Sequence, residues 1–293
     1  MKWSKVPPPV PLRPVDANKV TVGRVLVVGG SPPMAGAPAL AGLGALRGGA
    51  GLVKIAVPQG IQATVAGFRP EATTLGLPQT RAGALGRAAM HVIRESVDGW
   101  DAVVLGPGLG RNPSTQQLVR SLVRSVDKPL VLDADALFAM IGALDEIAGR
   151  SAPTVLTPHE GEAGRLLALS TDELRQDREA AVAQLVESTG AVAVLKGPGT
   201  LVCDGEQIYV NGTGGPALAT GGTGDVLAGL TGALLAGMAA SGLQAFGCAA
   251  AAVHIHGAAA DAVAGENDRG LLASELAAGI PAAFRELRDR GSR

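Results

Sequence analysis

Short, nearly unbroken apolar runs alternate along this chain with longer stretches in which apolar positions recur every three or four residues. The runs fall at residues 24–28, 51–57, 101–105, 129–132, 154–156 and 191–195. None shows the in–out alternation of a half-solvated strand, so they read as strands covered on both faces. Residues 38–47, 85–97 and 114–126 carry helical periodicity, and Ser170 with Glu173 forms a capping-box pair opening a helix to about residue 188. Residues 70–75 are a weaker strand signal, and 201–203 with 207–210 read as a hairpin across Asp204-Gly205-Glu206. Strand–helix–strand order makes the strands at 24–28 and 51–57 parallel. The expected fold is α/β, a three-layer αβα arrangement with a mostly parallel central sheet. Residues 22–293 read as a single domain behind an extended, proline-rich arm at 1–21. Five strand ends deliver glycine, acidic or basic residues into loops. Ligands in such sheets bind outside the carboxyl ends of the strands, so distant residues are expected to converge there.

Composition narrows the function classes. The 293 residues are 47% hydrophobic but only 2% aromatic, with 42 glycines, so the core must be built from Val, Leu, Ile and Ala. A formal net charge of −1 leaves no basic field, and stacking rings are scarce, which argues against nucleic-acid binding. Cys203 and Cys248 lie far apart without metal-ligand spacing. They read as small buried hydrophobes in a reducing, cytoplasmic compartment. Residues 1–14 lack the apolar core of a secretory signal. Residues 226–260 carry no charge and are long enough to cross a bilayer. They are broken at Ser241-Gly242 and Gln244, contain His254 and His256, and lack flanking Lys or Arg anchors. Two buried helices fit better than a membrane span.

The chemistry gathers around Ala219-Thr220-Gly221-Gly222-Thr223-Gly224-Asp225-Val226-Leu227. A glycine-rich turn feeding a helix leaves backbone N–H groups unpaired at the positive end of the helix dipole, a site suited to phosphate. Gly222, Thr223 and Gly224 would cradle a transferring phosphoryl group, and Asp225 could accept the proton of an attacking hydroxyl. Lys196 ends a strand and enters the Gly197-Pro198-Gly199-Thr200 loop, where it can meet phosphate as a point charge. Lys196, Thr200 and the neighbouring backbone would hold a nucleotide from one side. Glu162 could order Mg²⁺ through water or serve only as a first-turn helix carboxylate. His159 could hydrogen-bond a substrate or be structural. Asp133 and Asp135 look like paired acids at a strand end, with helix capping by one of them the preferred reading. His254 and His256 lack i, i+4 spacing and read as packing or capping groups.

These segments, in order, resemble the ADP/ATP-dependent NAD(P)H-hydrate dehydratase family of the ribokinase-like fold. The resemblance is carried by the stretch from Gly23 to Ser31, Gly36-Ala37-Pro38, Gly106-Pro107-Gly108-Leu109-Gly110, Leu132-Asp133-Ala134-Asp135-Ala136-Leu137, Leu156-Thr157-Pro158-His159, Leu195-Lys196-Gly197, and Ala219 through Leu227. It implies a metabolite-repair lyase that returns the S form of hydrated NADH or NADPH to the normal cofactor. ADP or ATP, with Mg²⁺, would activate the hydrate hydroxyl as a phosphate ester before elimination. By the same resemblance Ala37, Gly108, His159 and Asp225 match substrate-contacting positions, while Lys196, Gly197, Pro198, Gly199, Thr200 and Gly224 match nucleotide-contacting ones. Residues 159–162 stand where related kinases carry a magnesium motif. A separate epimerase partner and a homotetramer are implied. The alternatives are a vitamin-precursor kinase of the same fold and a non-catalytic nucleotide-binding protein.

Overall fold

The structure, a computed structural model, describes residues 1–291. In chain order its elements are β1 (Lys2–Ser4), β2 (Arg24–Val28), α1 (Gly36–Arg47), β3 (Leu52–Pro58), α2 (Gln62–Phe68), β4 (Thr73–Leu77), α3 (Ala89–Val97), β5 (Ala102–Leu105), α4 (Pro113–Ser125) and β6 (Leu130–Leu132). There follow α5 (Asp135–Ala139), α6 (Asp145–Ala148), β7 (Thr154–Leu156), α7 (Glu160–Leu167), α8 (Thr171–Gln176), α9 (Arg178–Thr189) and β8 (Val192–Leu195). The chain closes with β9 (Leu201–Cys203), β10 (Gln207–Val210), α10 (Thr223–Ala236), α11 (Met238–Ser241), α12 (Ala245–Ala264) and α13 (Ala273–Gly291).

The strands form one sheet in the order β1-β10-β9-β8-β7-β6-β5-β2-β3-β4. From β4 to β8 all neighbours are parallel, and the expected pairing of β2 with β3 is among them. The β9–β10 hairpin also forms as expected, with Cys203 opposite Ile208. β9 is antiparallel to both of its neighbours, β10 and β8. The apolar runs are buried on both faces, as their composition demands. Val25 and Val27 of β2 join the core under α1, α10, α12 and α13, whereas Leu26 and Val28 join the core under α3, α4 and α9. The chain adds strands outward from β2 through β3 to β4, then resumes on the other side at β5. The switch point therefore lies between β2 and β5, where such sheets open a crevice.

α1 and α10 pack against each other with almost no intervening side chain. A Cβ at Gly229 would lie 1.8 Å from the Ala41 carbonyl oxygen, and one at Gly44 would lie 2.2 Å from that of Val226. Twelve of the fourteen α10 residues are buried, which explains why the segment reads as uniformly apolar. The long uncharged stretch resolves into α10, short α11 and α12, broken at Gly237 and Gly242. α12 is long and apolar enough to cross a membrane, yet 78% of its most apolar stretch is buried inside the fold.

Several boundaries differ from the sequence expectation. The helix expected from residue 85 starts at Ala89, because Leu85 is held in a β-bridge to Gln79. The helix expected to run from Ser170 to about residue 188 is two helices. Asp177 leaves helical geometry at φ −145° and its side chain accepts from the Ala180 N–H, capping α9. The strand signal at 70–75 forms at Thr73–Leu77. In the N-terminal arm, Lys2–Ser4 pairs parallel with β10 and extends the sheet, which its polar composition did not announce.

Candidate functional site

Asp133, His159 and Lys196 leave the sheet at the carboxyl ends of β6, β7 and β8. Lys196 continues the pairing, its N–H bonding the Pro158 carbonyl at 2.8 Å, so His159 and Lys196 sit side by side. The Lys196 ammonium donates to Asp133 Oδ1 at 3.0 Å and lies 3.9 Å from Glu162 Oε2. Asp133 is only 2% exposed and also accepts from the Thr157 hydroxyl at 2.7 Å. Burial alone would lower the Lys196 pKa. Asp133, Glu162 and Asp225 outweigh it and hold the pKa above the ordinary lysine value.

α10 delivers Asp225 to this cluster from above the sheet. Its N-cap, Gly222, adopts φ +92° and supplies no side-chain cap. α4, α7, α8 and α9, by contrast, are capped by Asn112, His159, Ser170 and Asp177. Asp225 stands in the first turn, and a Cβ at Gly224 would lie 3.5 Å from Lys196 Nζ. Uncapped N–H groups, the helix dipole and an ammonium thus face one space. The Thr223 hydroxyl shares its one proton between the Leu218 and Thr220 carbonyls, so the only proton Thr223 can donate to a phosphate is its N–H. Buried His256 donates from Nε2 to the Thr223 carbonyl at 2.8 Å. Burial pushes its pKa down to about 4, keeping it neutral and able to steady this turn.

Burial, followed by the repulsion of Asp133, pushes the Asp225 pKa up to about 7 despite the attraction of Lys196; Asp135 and Glu162 add to the rise. A carboxyl poised there can hold or release a proton near neutrality, the property a general base needs.

The remaining expected residues surround this centre. The residue 197–200 loop carries Gly197 at φ +148° and Gly199 at φ +60°, and the Thr200 hydroxyl closes it onto the Gly197 carbonyl at 2.9 Å. Arg178 braces the loop from outside through the Pro198 carbonyl and, at 3.3 Å, the Leu195 carbonyl. Glu160 holds Arg178 in turn at 3.4 Å. Ala37 and Gly108 meet each other, since a Cβ on Gly108 would lie 3.0 Å from that of Ala37. They lie beside the equally uncapped N-terminus of α1. A Cβ at Gly222 would press on Leu40 at 2.5 Å, which places the starts of α1 and α10 together.

His159 caps α7, its Nδ1 accepting from the Gly161 and Glu162 N–H groups at 3.0 and 3.3 Å. Glu162 Oε2 accepts in return from the His159 N–H at 2.8 Å. Among the described residues no cluster of three His, Cys, Asp or Glu side chains could cage a metal. The donor set fits Mg²⁺ only as an ion held mainly by phosphates and water, with Glu162 beyond the water.

The expected helix cap at Asp133 or Asp135 is not made. Ala134, at φ +50°, occupies the N-cap position of α5, and no side chain bonds there. This frees Asp133 for Lys196, while Asp135 accepts from the Gly110 N–H at 2.8 Å. Arg178 and Glu160 are the site residues that sequence reasoning missed, and for Asp133 it missed the partnership with Lys196. Only the spacing of Asp133 to Asp135 was visible; its partner is 63 residues away.

Asp133→Asn keeps the contact to Thr157 and removes the charge beside Lys196. The nucleotide KM is expected to rise about tenfold, with about 1–3 kcal/mol of stability lost for weakening a charge-assisted hydrogen bond at a buried side chain. Steady-state kinetics and urea unfolding of the variant check both.

A family model described as NAD(P)H-hydrate dehydratase matches residues 25–282. The bifunctional NAD(P)H-hydrate repair enzyme of Moorella thermoacetica is 41% identical over 283 residues, covering 96% of this chain and 52% of that protein. The chain thus spans about half the length of such bifunctional relatives. The ADP-dependent (S)-NAD(P)H-hydrate dehydratase of Neisseria meningitidis is 37% identical, covering 95% of this chain and 89% of that protein. Among solved structures, the ADP/ATP-dependent NAD(P)H-hydrate dehydratase of Bacillus subtilis, co-crystallised with ATP/Mg²⁺, superposes with a TM-score of 0.79 at 30% identity, covering 95% of both chains.

Proposed function

The chain belongs to the NAD(P)H-hydrate dehydratase family, and from that premise we propose that it is a repair lyase for the S form of hydrated NADH and NADPH, driven by ADP or ATP. The observation that carries this reading is the meeting of the uncapped start of α10, which bears Asp225 in its first turn, with the Lys196 ammonium, 3.5 Å from where a Cβ at Gly224 would lie. The nucleotide would lie along the residue 196–200 loop with its terminal phosphate on the N–H groups of Gly222, Thr223 and Gly224. The hydrate would enter past Ala37, Gly108 and His159.

Asp225 then takes the proton of the hydrate hydroxyl as its oxygen bonds to the terminal phosphorus. The anhydride P–O bond breaks, and the nucleotide leaves one phosphate shorter. Lys196 and the α10 N–H groups stabilise the charge spread over the transferring oxygens. The ester C–O bond then breaks with loss of inorganic phosphate and a ring proton, which restores the dihydronicotinamide double bond.

Mg²⁺ suits the site as a phosphate-bound ion. Asp133, Asp135, Glu162 and Asp225 outnumber Lys196 near the phosphate position, and a divalent cation would offset that excess. The residues that would face its hydration shell are Glu162 and the carboxylates behind it. Buried, unpaired Cys203 and Cys248 support a cytoplasmic setting. An epimerase acting before this enzyme and a homotetrameric assembly belong to the same reading.

Product analysis tests it. Hydrated NADH incubated with Mg²⁺ and ADP or ATP should yield NADH, phosphate and the shortened nucleotide in equal amounts. A stable phosphoester accumulating without NADH would make the protein a kinase instead.

A further inference from the structure

α10 is about 20 Å long at 1.5 Å per residue, so its far end lies well away from Asp225. There the N-terminal arm crosses the ends of α1 and α10 and faces α13, enclosing a cavity of about 530 Å³. That volume is ample for a small-molecule ligand. Leu12, Leu234, Leu243 and Phe284 supply apolar wall. Four guanidinium side chains, Arg13, Arg47, Arg285 and Arg288, line the same space, and no Asp or Glu does. The chain as a whole carries a formal net charge of −1, so this is a local concentration of positive charge.

Some of that charge answers the fold itself. α1 and α10 end at Gly48 and Gly237, and Arg13 donates to the Gly49 carbonyl. Each helix end presents roughly half a negative charge, about one for the two, against four guanidiniums. Even with Arg13 and Arg288 set aside, Arg47 and Arg285 remain, and among the described residues neither has an ion-pair partner. Apart from the arginines, Thr21 and Ser241 are the polar side chains in the wall, and Phe284 is its one aromatic ring. That lining is poor for reading a nucleobase. It suits an apolar chain with an anionic end.

We propose that this cavity binds a single-chain amphipathic anion, its acyl or alkyl tail among Leu12, Leu234, Leu243 and Phe284 and its carboxylate or phosphate head on Arg47 and Arg285. The site is separate from the nucleotide site and stands whether or not the dehydratase reading holds.

Calorimetric titration of the full chain with dodecyl phosphate and with dodecanoate, each below its micelle concentration, distinguishes the two heads. Saturable one-to-one binding of at least one is expected, with at least tenfold weaker affinity in the Arg47→Glu/Arg285→Glu double variant. Both arginines are exposed, so the variant should keep the wild-type melting temperature. Dodecyltrimethylammonium should not bind. Three results would overturn the proposal: no saturable binding, equal binding of the cationic probe, or an affinity indifferent to the double substitution. Inorganic phosphate binding as tightly as dodecyl phosphate would reduce the site to a plain anion pocket. Sedimentation showing a dimer that the substitutions dissolve, without anion binding, would assign the cavity to a second copy of the chain.

Discussion

Asp225→Asn is expected to lower the dehydration rate by about 10²–10⁴-fold while making the protein more stable. Both effects come from the same burial. Burial and the Asp133 charge raise the Asp225 pKa to about 7, against an ordinary 3.8. Below pH 3.8 the side chain is protonated whether the chain is folded or not, and the native state carries no penalty. Between 3.8 and 7 the unfolded chain gives up its proton more readily than the native one, so stability falls as pH rises. Above 7 the loss is complete, on the order of 3 kcal/mol after allowing for partial exposure. Asparagine carries no charge at any pH. The variant should therefore match wild type near pH 3.5, gain steadily from pH 4 to 7, and hold its full advantage at pH 8. Urea unfolding at those pH values, beside turnover at pH 8, checks the trade between stability and activity.

Gly229→Ala is the second large effect. The new Cβ would lie 1.8 Å from the Ala41 carbonyl oxygen and 2.7 Å from its carbon. Those are backbone atoms that cannot swing aside, so α1 and α10 must separate. Overpacking of this kind costs about 3 kcal/mol, well beyond the roughly 1 kcal/mol that alanine gains over glycine in a helix. The shift would also move Asp225, which rides on the first turn of α10, and activity should fall with stability. Gly67→Ala is the control: it lies in exposed α2 with nothing within 4 Å of its new Cβ, so it should be neutral or slightly stabilising. Thermal unfolding of the two variants separates them.

What could be read in the sequence and what could not divides along a physical line. Strands such as β2 and β5 were legible because a strand buried on both faces must be apolar throughout. The turn at residues 219–225 was legible because glycines before an acidic first turn have few uses. Asp225 itself was therefore found, but not its poise near neutrality, which depends first on its burial and then on Asp133, Asp135 and Glu162 arriving from elsewhere in the chain. Capping by Asp133 or Asp135 was the preferred reading because local spacing carries no trace of Lys196. Arg178 was passed over because a charged residue in the middle of an expected helix looks like surface, whereas here it reaches back to hold the 197–200 loop. The α8–α9 break escaped notice because Asp177 fits a helix surface as easily as it caps one. The Lys2–Ser4 strand was hidden because an edge strand gains from backbone pairing, which side-chain pattern does not report.

The central claim is that the Asp225 carboxylate, held near neutrality by its buried setting, is the base of a nucleotide-driven dehydration. The most direct measurement follows the near-ultraviolet absorbance of the dihydronicotinamide as hydrated NADH is repaired with Mg²⁺ and ADP or ATP, for wild type and Asp225→Asn in parallel across pH 5.5–9. The account predicts nucleotide-dependent recovery by the wild type, with kcat/KM rising through a break near pH 7, and a variant that recovers the cofactor at least about 10²-fold more slowly, without that break, yet still binds nucleotide. A variant that recovers the cofactor at the wild-type rate, with the same break, would contradict it.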